Sequence, residues 1–203
     1  AGSEGKYYNT VCLANPKGDL AVHYRKTHLW SFVDDSWCSC GSEPGLLDTE
    51  FGRVGLGICY DIHRLGQLYE GKDLWCLLYS VAWYGHPTEG PAERWFRRDL
   101  SETYLGKGAL QCHVVAANWS TDREYSWDGM GYSSIYDPLG RRLAFLNEEN
   151  GDRILYHDLP YGASLWKGQL CRRLKSLGLL LRRACLRAPP ASPSRALCDD
   201  DDA

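Results

Sequence analysis

Apolar and polar positions along this chain fall into short runs separated by turns that carry glycine and proline, a pattern of strands and short helices. Tyr7 to Leu13 (YYNTVCL) and Leu20 to Tyr24 are strand-like, and Asn15-Pro16-Lys17-Gly18-Asp19 between them has the turn chemistry of a hairpin. In Phe51 to Asp61 (FGRVGLGICYD), Val54, Leu56 and Ile58 alternate with Gly55 and Gly57. That reads as a buried strand whose glycine face lets another backbone come close. Ile62 to Gly71 predicts a helix and Leu74 to Trp83 (LWCLLYSVAW) a second buried strand, so strand, crossover and strand imply parallel pairing. Ala92 to Leu110 has helical spacing through Trp95, Leu100, Tyr104 and Leu105. His113 to Trp119 predicts a third buried strand, and Gly131 to Tyr136, Arg142 to Leu146 and Arg153 to Leu159 the strands of a meander. Ser31 to Pro44 has no regular pattern and reads as a loop that could serve as a lid.

The character changes at Tyr161. Trp166, Leu170, Leu174, Leu177 and Leu181 recur at helical spacing among Lys167, Arg172, Arg173, Lys175, Arg182, Arg183 and Arg187. Residues 161–187 are therefore expected to form a basic amphipathic helix that docks on its own core with a charged outer face, the alternative being a membrane surface or a partner. Residues 188–203, rich in Pro and Ser and ending in the acidic run Asp199 to Asp202, are expected to be disordered. The folded domain is expected over residues 1–160.

Composition narrows the function classes. In 203 residues, 44% are apolar and the net charge is only -3, so one substantial core forms and nothing pushes the chain toward nucleic acid or a membrane surface. No stretch is long and apolar enough to span a bilayer. The opening Ala1-Gly2-Ser3-Glu4 reads as an interior cut rather than a natural start. Nine cysteines are scattered with no CxxC pair, which predicts reduced thiols in the cytoplasm rather than a disulfide framework. Cys38-Ser39-Cys40 has no second close Cys or His pair, and no metal site is expected there.

Candidate chemistry centres on Cys59. At a strand's exit it is held by the sheet behind it and faces a crevice in front, the position of a nucleophile in open α/β sheets, although most free cysteines are simply small buried residues. Lys26, at the end of the second strand beside Arg25 and His28, reads either as a solvated strand end or as a positioned ammonium. In the second case it would have to meet Cys59 in space, where it would lower a thiol's pKa and stabilise an oxyanion. Asn118, Ser133 and Ser134 are candidate pocket groups, with turn and cap roles the commoner use of such residues.

Three segments then occur in a telling order: Tyr8-Asn9-Thr10, Tyr24-Arg25-Lys26-Thr27-His28-Leu29 and Gly52-Arg53-Val54-Gly55-Leu56-Gly57-Ile58-Cys59-Tyr60-Asp61. With Val114 to Trp119 and Trp127 to Gly140 (WDGMGYSSIYDPLG) downstream, the chain resembles the carbon-nitrogen hydrolase (nitrilase) superfamily over residues 1–160. The resemblance implies a four-layer α-β-β-α sandwich, incomplete here at the N-terminus, and a Glu-Lys-Cys catalytic set. It implies Cys59 as nucleophile, Lys26 with the backbone N–H of Tyr60 as the oxyanion site, and a glutamate as base, with no cofactor. Homo-oligomers are common in such families. The family's catalytic glutamate precedes the YNT strand, outside this chain, and its second glutamate is matched only loosely by Glu43.

Cys-Tyr-Asp is closer to the amidase-like branches than to nitrile-cleaving ones. The expected function is hydrolysis of a small linear amide or carbamoyl compound, and the alternative is a catalytically incomplete fragment or pseudoenzyme acting as an interaction module. A peptidase-like use of Cys59 with His28, His63 or His113 lacks any local signature. Cys59→Ala is expected to abolish ammonia release, and Lys26→Ala to do so with little loss of folding.

Overall fold

The computed structural model describes residues 5–31, 33–83, 91–106, 110–120, 129, 131–147 and 153–161. Everything below concerns these residues, which belong to one compact unit ending at Tyr161. The basic helix and tail expected after Tyr161 lie outside them.

The first strands, β1 (Thr10–Ala14) and β2 (Leu20–Arg25), pair antiparallel as the hairpin expected from the Asn15 to Asp19 turn. The Asn15 side-chain oxygen accepts from the backbone N–H groups of Lys17 and Asp19, which fixes that turn. Six further strands form one mixed sheet in chain order: β3 (Leu46–Thr49), β4 (Gly52–Ile58), β5 (Leu74–Ser80), β6 (His113–Ala117), β7 (Ser134–Tyr136) and β8 (Arg142–Phe145). β4, β5 and β6 run parallel, and the remaining neighbours are antiparallel. The parallel pairing expected across the crossover helix is present, with that helix, α1, at Ile62–Leu68.

Alternation along β4 sets the layers. Leu56 and Ile58 face the hairpin and pack with Val11, Leu13, Val22 and Tyr24. Gly55 and Gly57 face α1. A Cβ on Gly57 would lie 2.5 Å from a Leu65 methyl, and one on Gly55 2.9 Å from Leu74. The glycine face thus admits side chains of α1 and its flank, where the sequence reading expected a backbone. On that helix side Leu65, Leu77, Phe96, Leu100, Leu105, Val114 and Tyr136 form the main core, none more than 0% exposed. The order is helix layer, six-stranded sheet, two-stranded sheet, an α/β sandwich of the expected kind. A fourth layer has no element among the described residues.

Three expectations are corrected. The helix read over 92–110 is a chain of short pieces, α2 (Pro91–Arg94), a π-helical turn (Trp95–Asp99) and α3 (Leu100–Thr103), and it ends before Gly106, which takes φ +61°. Residues Arg153 to Leu159 form no strand. Ile154 and Tyr156, whose alternation suggested one, are 75% and 81% exposed, so no neighbouring strand holds them. The Ser31 to Pro44 loop is pinned rather than lid-like, because Ser39 N–H donates to the Tyr7 carbonyl and Gly41 N–H to that of Lys26, each at 2.8 Å.

Candidate active site

Cys59 follows the last residue of β4 and opens a one-turn 3-10 helix (Cys59–Asp61) that runs into α1. Its φ of +44° is a left-handed conformation that costs a non-glycine residue about 1–3 kcal/mol, and such strain persists where surrounding contacts over-determine it. One of those contacts is visible. The Tyr79 hydroxyl donates to the Cys59 carbonyl at 2.7 Å, and burial holds the Tyr79 phenol well above its ordinary pKa, so it remains a donor. The strand-turn-helix geometry turns Cys59 out at the C-terminal edge of the parallel strands, half-buried, on the wall of a cavity of about 260 Å³.

Lys26 lies one residue beyond β2. It is 3% exposed, so the solvated-strand-end reading is corrected: its ammonium is buried and ion-paired with Asp34. Asp34 is itself 4% exposed and accepts two further hydrogen bonds, from Trp30 N–H at 2.8 Å and from the Asn9 side-chain amide at 3.1 Å. Burial alone would raise the Asp34 pKa, but the hydrogen bonds from Lys26, Trp30 and Asn9 outweigh it and hold the carboxyl below its usual value.

A second buried carboxyl joins the lysine segment to the cysteine turn. Asp61, 0% exposed, accepts from the backbone N–H groups of Thr27 (3.1 Å), His28 (2.7 Å) and Ile58 (3.0 Å), and from the Tyr24 hydroxyl (2.8 Å). Burial pushes its pKa up while these bonds pull it back. Because its donors flank Lys26 on one side and Cys59 on the other, Asp61 fixes the two segments against each other. That explains the third position of Cys-Tyr-Asp, to which the sequence reading gave no role.

The remaining candidates separate cleanly. Glu43 is exposed on the loop and is not the ion-pair partner of Lys26, a place that Asp34 takes. Tyr60 and His63 line the cavity with Cys59, and Tyr60 stacks on His28 with ring centroids 5.0 Å apart. His63 contacts the Tyr104 hydroxyl through Nδ1 at 2.5 Å; burial, and secondarily His28, lower its pKa. His113 begins β6 opposite Cys76, while Cys59 follows the Ile58–Ser80 pair. Four residues of strand, about 13 Å, put it at the far edge of the sheet from the nucleophile position. Asn118, Ser133 and Ser134 are loop ties: the Asn118 side chain bridges Trp83 N–H and the Gly131 carbonyl, each at 2.9 Å, Ser133 accepts from Asn118 N–H, and Ser134 donates to the Tyr132 carbonyl.

The family model described as carbon-nitrogen hydrolase matches residues 2–166. Omega-amidase NIT2 of Bos taurus is 34% identical over 168 residues, covering 76% of this chain and 56% of the relative. The chloroplastic omega-amidase of Arabidopsis thaliana is 27% identical over 166 residues, covering 77% and 42%. The crystal structure of Saccharomyces cerevisiae Nit3, a member of branch 10 of the nitrilase superfamily, superposes with a TM-score of 0.62 at 29% identity, covering 76% of this chain and 54% of that one. The chain spans about half the length of the curated relatives it matches.

Proposed function

The chain belongs to the carbon-nitrogen hydrolase family, and from that premise we propose that it cleaves the carbon-nitrogen bond of a small linear amide or carbamoyl compound through a thioester on Cys59. The observation that carries the reading is Cys59 itself, strained at φ +44° and turned onto the wall of a half-open cavity at the C-terminal edge of the parallel strands.

The Cys59 thiolate attacks the carbonyl carbon, and the negative charge that develops on the carbonyl oxygen is met by the Tyr60 N–H and the Lys26 ammonium. Ammonia or an amine leaves, and water then cleaves the thioester. Asp34 ion-pairs with Lys26 in a buried place, and Asp61 holds the Tyr24 to His28 segment against the cysteine turn. The family pattern assigns the proton transfers to a glutamate. The second reading is a catalytically incomplete module that binds without turning over.

Ammonia release from a series of short linear amides tests both. The hydrolase reading expects turnover that Cys59→Ala abolishes and that Lys26→Met, which removes the charge and keeps the length, lowers at least about a hundredfold, the scale of losing one oxyanion donor. Turnover unchanged in either variant refutes the role given to that residue. No turnover in the parent protein, with Cys59 no more reactive than Cys12, leaves the binding module as the reading.

A further inference from the structure

An oxyanion site at Tyr60 needs its backbone N–H held in one direction, and the structure shows what holds it. The peptide joining Cys59 to Tyr60 is trans and planar, so its C=O and N–H point opposite ways and turn together about one axis. Whatever fixes the Cys59 carbonyl therefore aims the Tyr60 N–H. Two donors reach that carbonyl: the Ile62 N–H, which closes the one-turn 3-10 helix, and the Tyr79 hydroxyl, at 2.7 Å.

The two donors act differently. Ile62 belongs to the turn, so its bond sets the turn's shape and moves with it. Tyr79 stands on the neighbouring strand β5, opposite Gly57 in the parallel register. Two residues of strand, about 6.6 Å, separate that level from Cys59, a span that a tyrosine side chain lying along the sheet crosses. Tyr79 is 3% exposed and packed in the main core, so its hydroxyl is a fixed point against which the peptide is set. Its single O–H proton is committed to the Cys59 carbonyl. Burial first, and then the charges of Cys59 and Asp61, push its pKa well above the ordinary value, so it stays a donor when a thiolate forms beside it. The left-handed φ of Cys59 fits this use, since a strained backbone held in place is a peptide held in one orientation.

We propose that Tyr79 is a positioning residue for the oxyanion site: anchored in β5, its hydroxyl orients the Cys59–Tyr60 peptide so that the Tyr60 N–H meets the negative oxygen formed when Cys59 attacks. The proposal rests on the hydrolase reading for Cys59 as nucleophile and for Tyr60 N–H as oxyanion donor.

Propionaldehyde isolates this step. The Cys59 thiolate adds to the aldehyde carbon, an S–C bond forms, the carbonyl π pair moves onto oxygen, and that oxygen takes up a proton; nothing leaves, and the thiohemiacetal reverts. Iodoacetamide instead loses iodide from its CH2 carbon and builds no oxyanion. The first measurement is the propionaldehyde concentration that halves the rate of Cys59 alkylation by iodoacetamide, read by peptide mass spectrometry with exposed Cys12 and Cys40 as internal references. Tyr79→Phe keeps the ring and removes the hydroxyl. It is expected to need at least about tenfold more aldehyde, part of the roughly hundredfold effect of losing an oxyanion donor, while its alkylation rate without aldehyde shifts by less than about threefold. Equal aldehyde potency in parent and variant overturns the role of Tyr79. So does an aldehyde loss matched by an equal fall in alkylation, because the hydroxyl would then act on the thiol. The second measurement needs no variant: in proton-nitrogen correlation spectra of the parent protein, the Tyr60 amide proton is expected to move downfield as aldehyde is added. An amide that stays in place while Cys59 is protected, or an absence of protection in the parent, removes the oxyanion site and this inference with it. Neither measurement needs turnover. The expected pattern without ammonia release from linear amides would sink the hydrolase reading alone, and ammonia release with equal aldehyde potency would sink this inference alone.

Discussion

Replacing Asp34 by Asn removes one charge and almost no volume, and the structure allows its effect to be worked out. The Lys26 and Asp34 side chains are 3% and 6% exposed, so water screens the pair little. At hydrogen-bonded contact, taken as about 3 Å, and an effective dielectric of about 20, the attraction lost is roughly 5 kcal/mol. A neutral amide oxygen still accepts from the ammonium and recovers part of it, while its NH2 group faces the Trp30 and Asn9 donors that Asp34 now satisfies. The expected loss is about 3–5 kcal/mol, the range for breaking one half of a buried pair. Urea denaturation followed by tryptophan fluorescence reads it directly.

The pH dependence gives the sign check. In the parent protein the Asp34 carboxyl lies below its usual value, so its contribution is present above about pH 3.9 and is lost as pH falls through the lower folded value. Asp34→Asn lacks that carboxyl and its acid-side dependence, so the deficit relative to the parent narrows as pH falls. Lys26→Met combined with Asp34→Leu is expected to recover most of the loss, since apolar replacement of a buried pair is often neutral. A cost below about 1 kcal/mol for Asp34→Asn, with parent and variant curves parallel in pH, would refute the buried-pair argument. The same argument corrects the expectation that Lys26→Ala folds normally, because that change strands the Asp34 carboxylate.

Two further substitutions test the frame around Cys59. Gly57→Ala places a methyl 2.5 Å from a Leu65 methyl in a fully buried contact, and thermal denaturation should show a loss of about 1–3 kcal/mol; an unchanged midpoint would mean that α1 is not seated on that glycine. Tyr79→Phe deletes the donor to the Cys59 carbonyl and should cost about 1–2 kcal/mol in denaturant titration, with an altered Cys59 alkylation rate; a stable variant with parental Cys59 reactivity would remove Tyr79 from the account of the strained turn.

What was legible in the chain follows the physics of each signal. β4, β5 and β6 are buried on both faces and read as continuous apolar or Gly-alternating runs, and the β1–β2 turn carries its own side-chain chemistry. β3 is four residues, Leu46–Thr49, too short to show a period, and it exists because β4 offers it an edge. Arg153 to Leu159 has the alternation of a strand and lacks that edge. The helix over 92–110 was overextended because apolar spacing says nothing of the π turn at Trp95, where the register changes.

The site divides along the same line. Cys59 and Lys26 were visible because their segments carry the pattern of the strands that deliver them. Asp34 was not, because it reaches Lys26 across an irregular loop whose path no periodicity predicts, and Glu43, nearer the family pattern, ends up exposed.

The two buried aspartates show why a nucleophile and a lysine from separate layers can be held in register. Cys59 follows a strand of the larger sheet and Lys26 follows a strand of the hairpin, so a slip between layers would part them. Asp61 takes donors from both, Ile58 N–H on the cysteine side and Tyr24, Thr27 and His28 on the lysine side, and none of its bonds needs the Lys26 charge. Asp34 then fixes the charge without fixing the layers. Registration thus rests on Asp61, which also lies in the field of Lys26, while Asp34 makes the direct ion pair. It follows that Asp34→Asn should leave the strained turn at Cys59 intact while changing the field around it, whereas Asp61→Asn should loosen the turn itself. Cys59 alkylation rates separate the two: a rate near the parental one for the first, and a rate approaching that of exposed Cys12 for the second. Identical rates for both variants would mean that the two carboxyls act as one network.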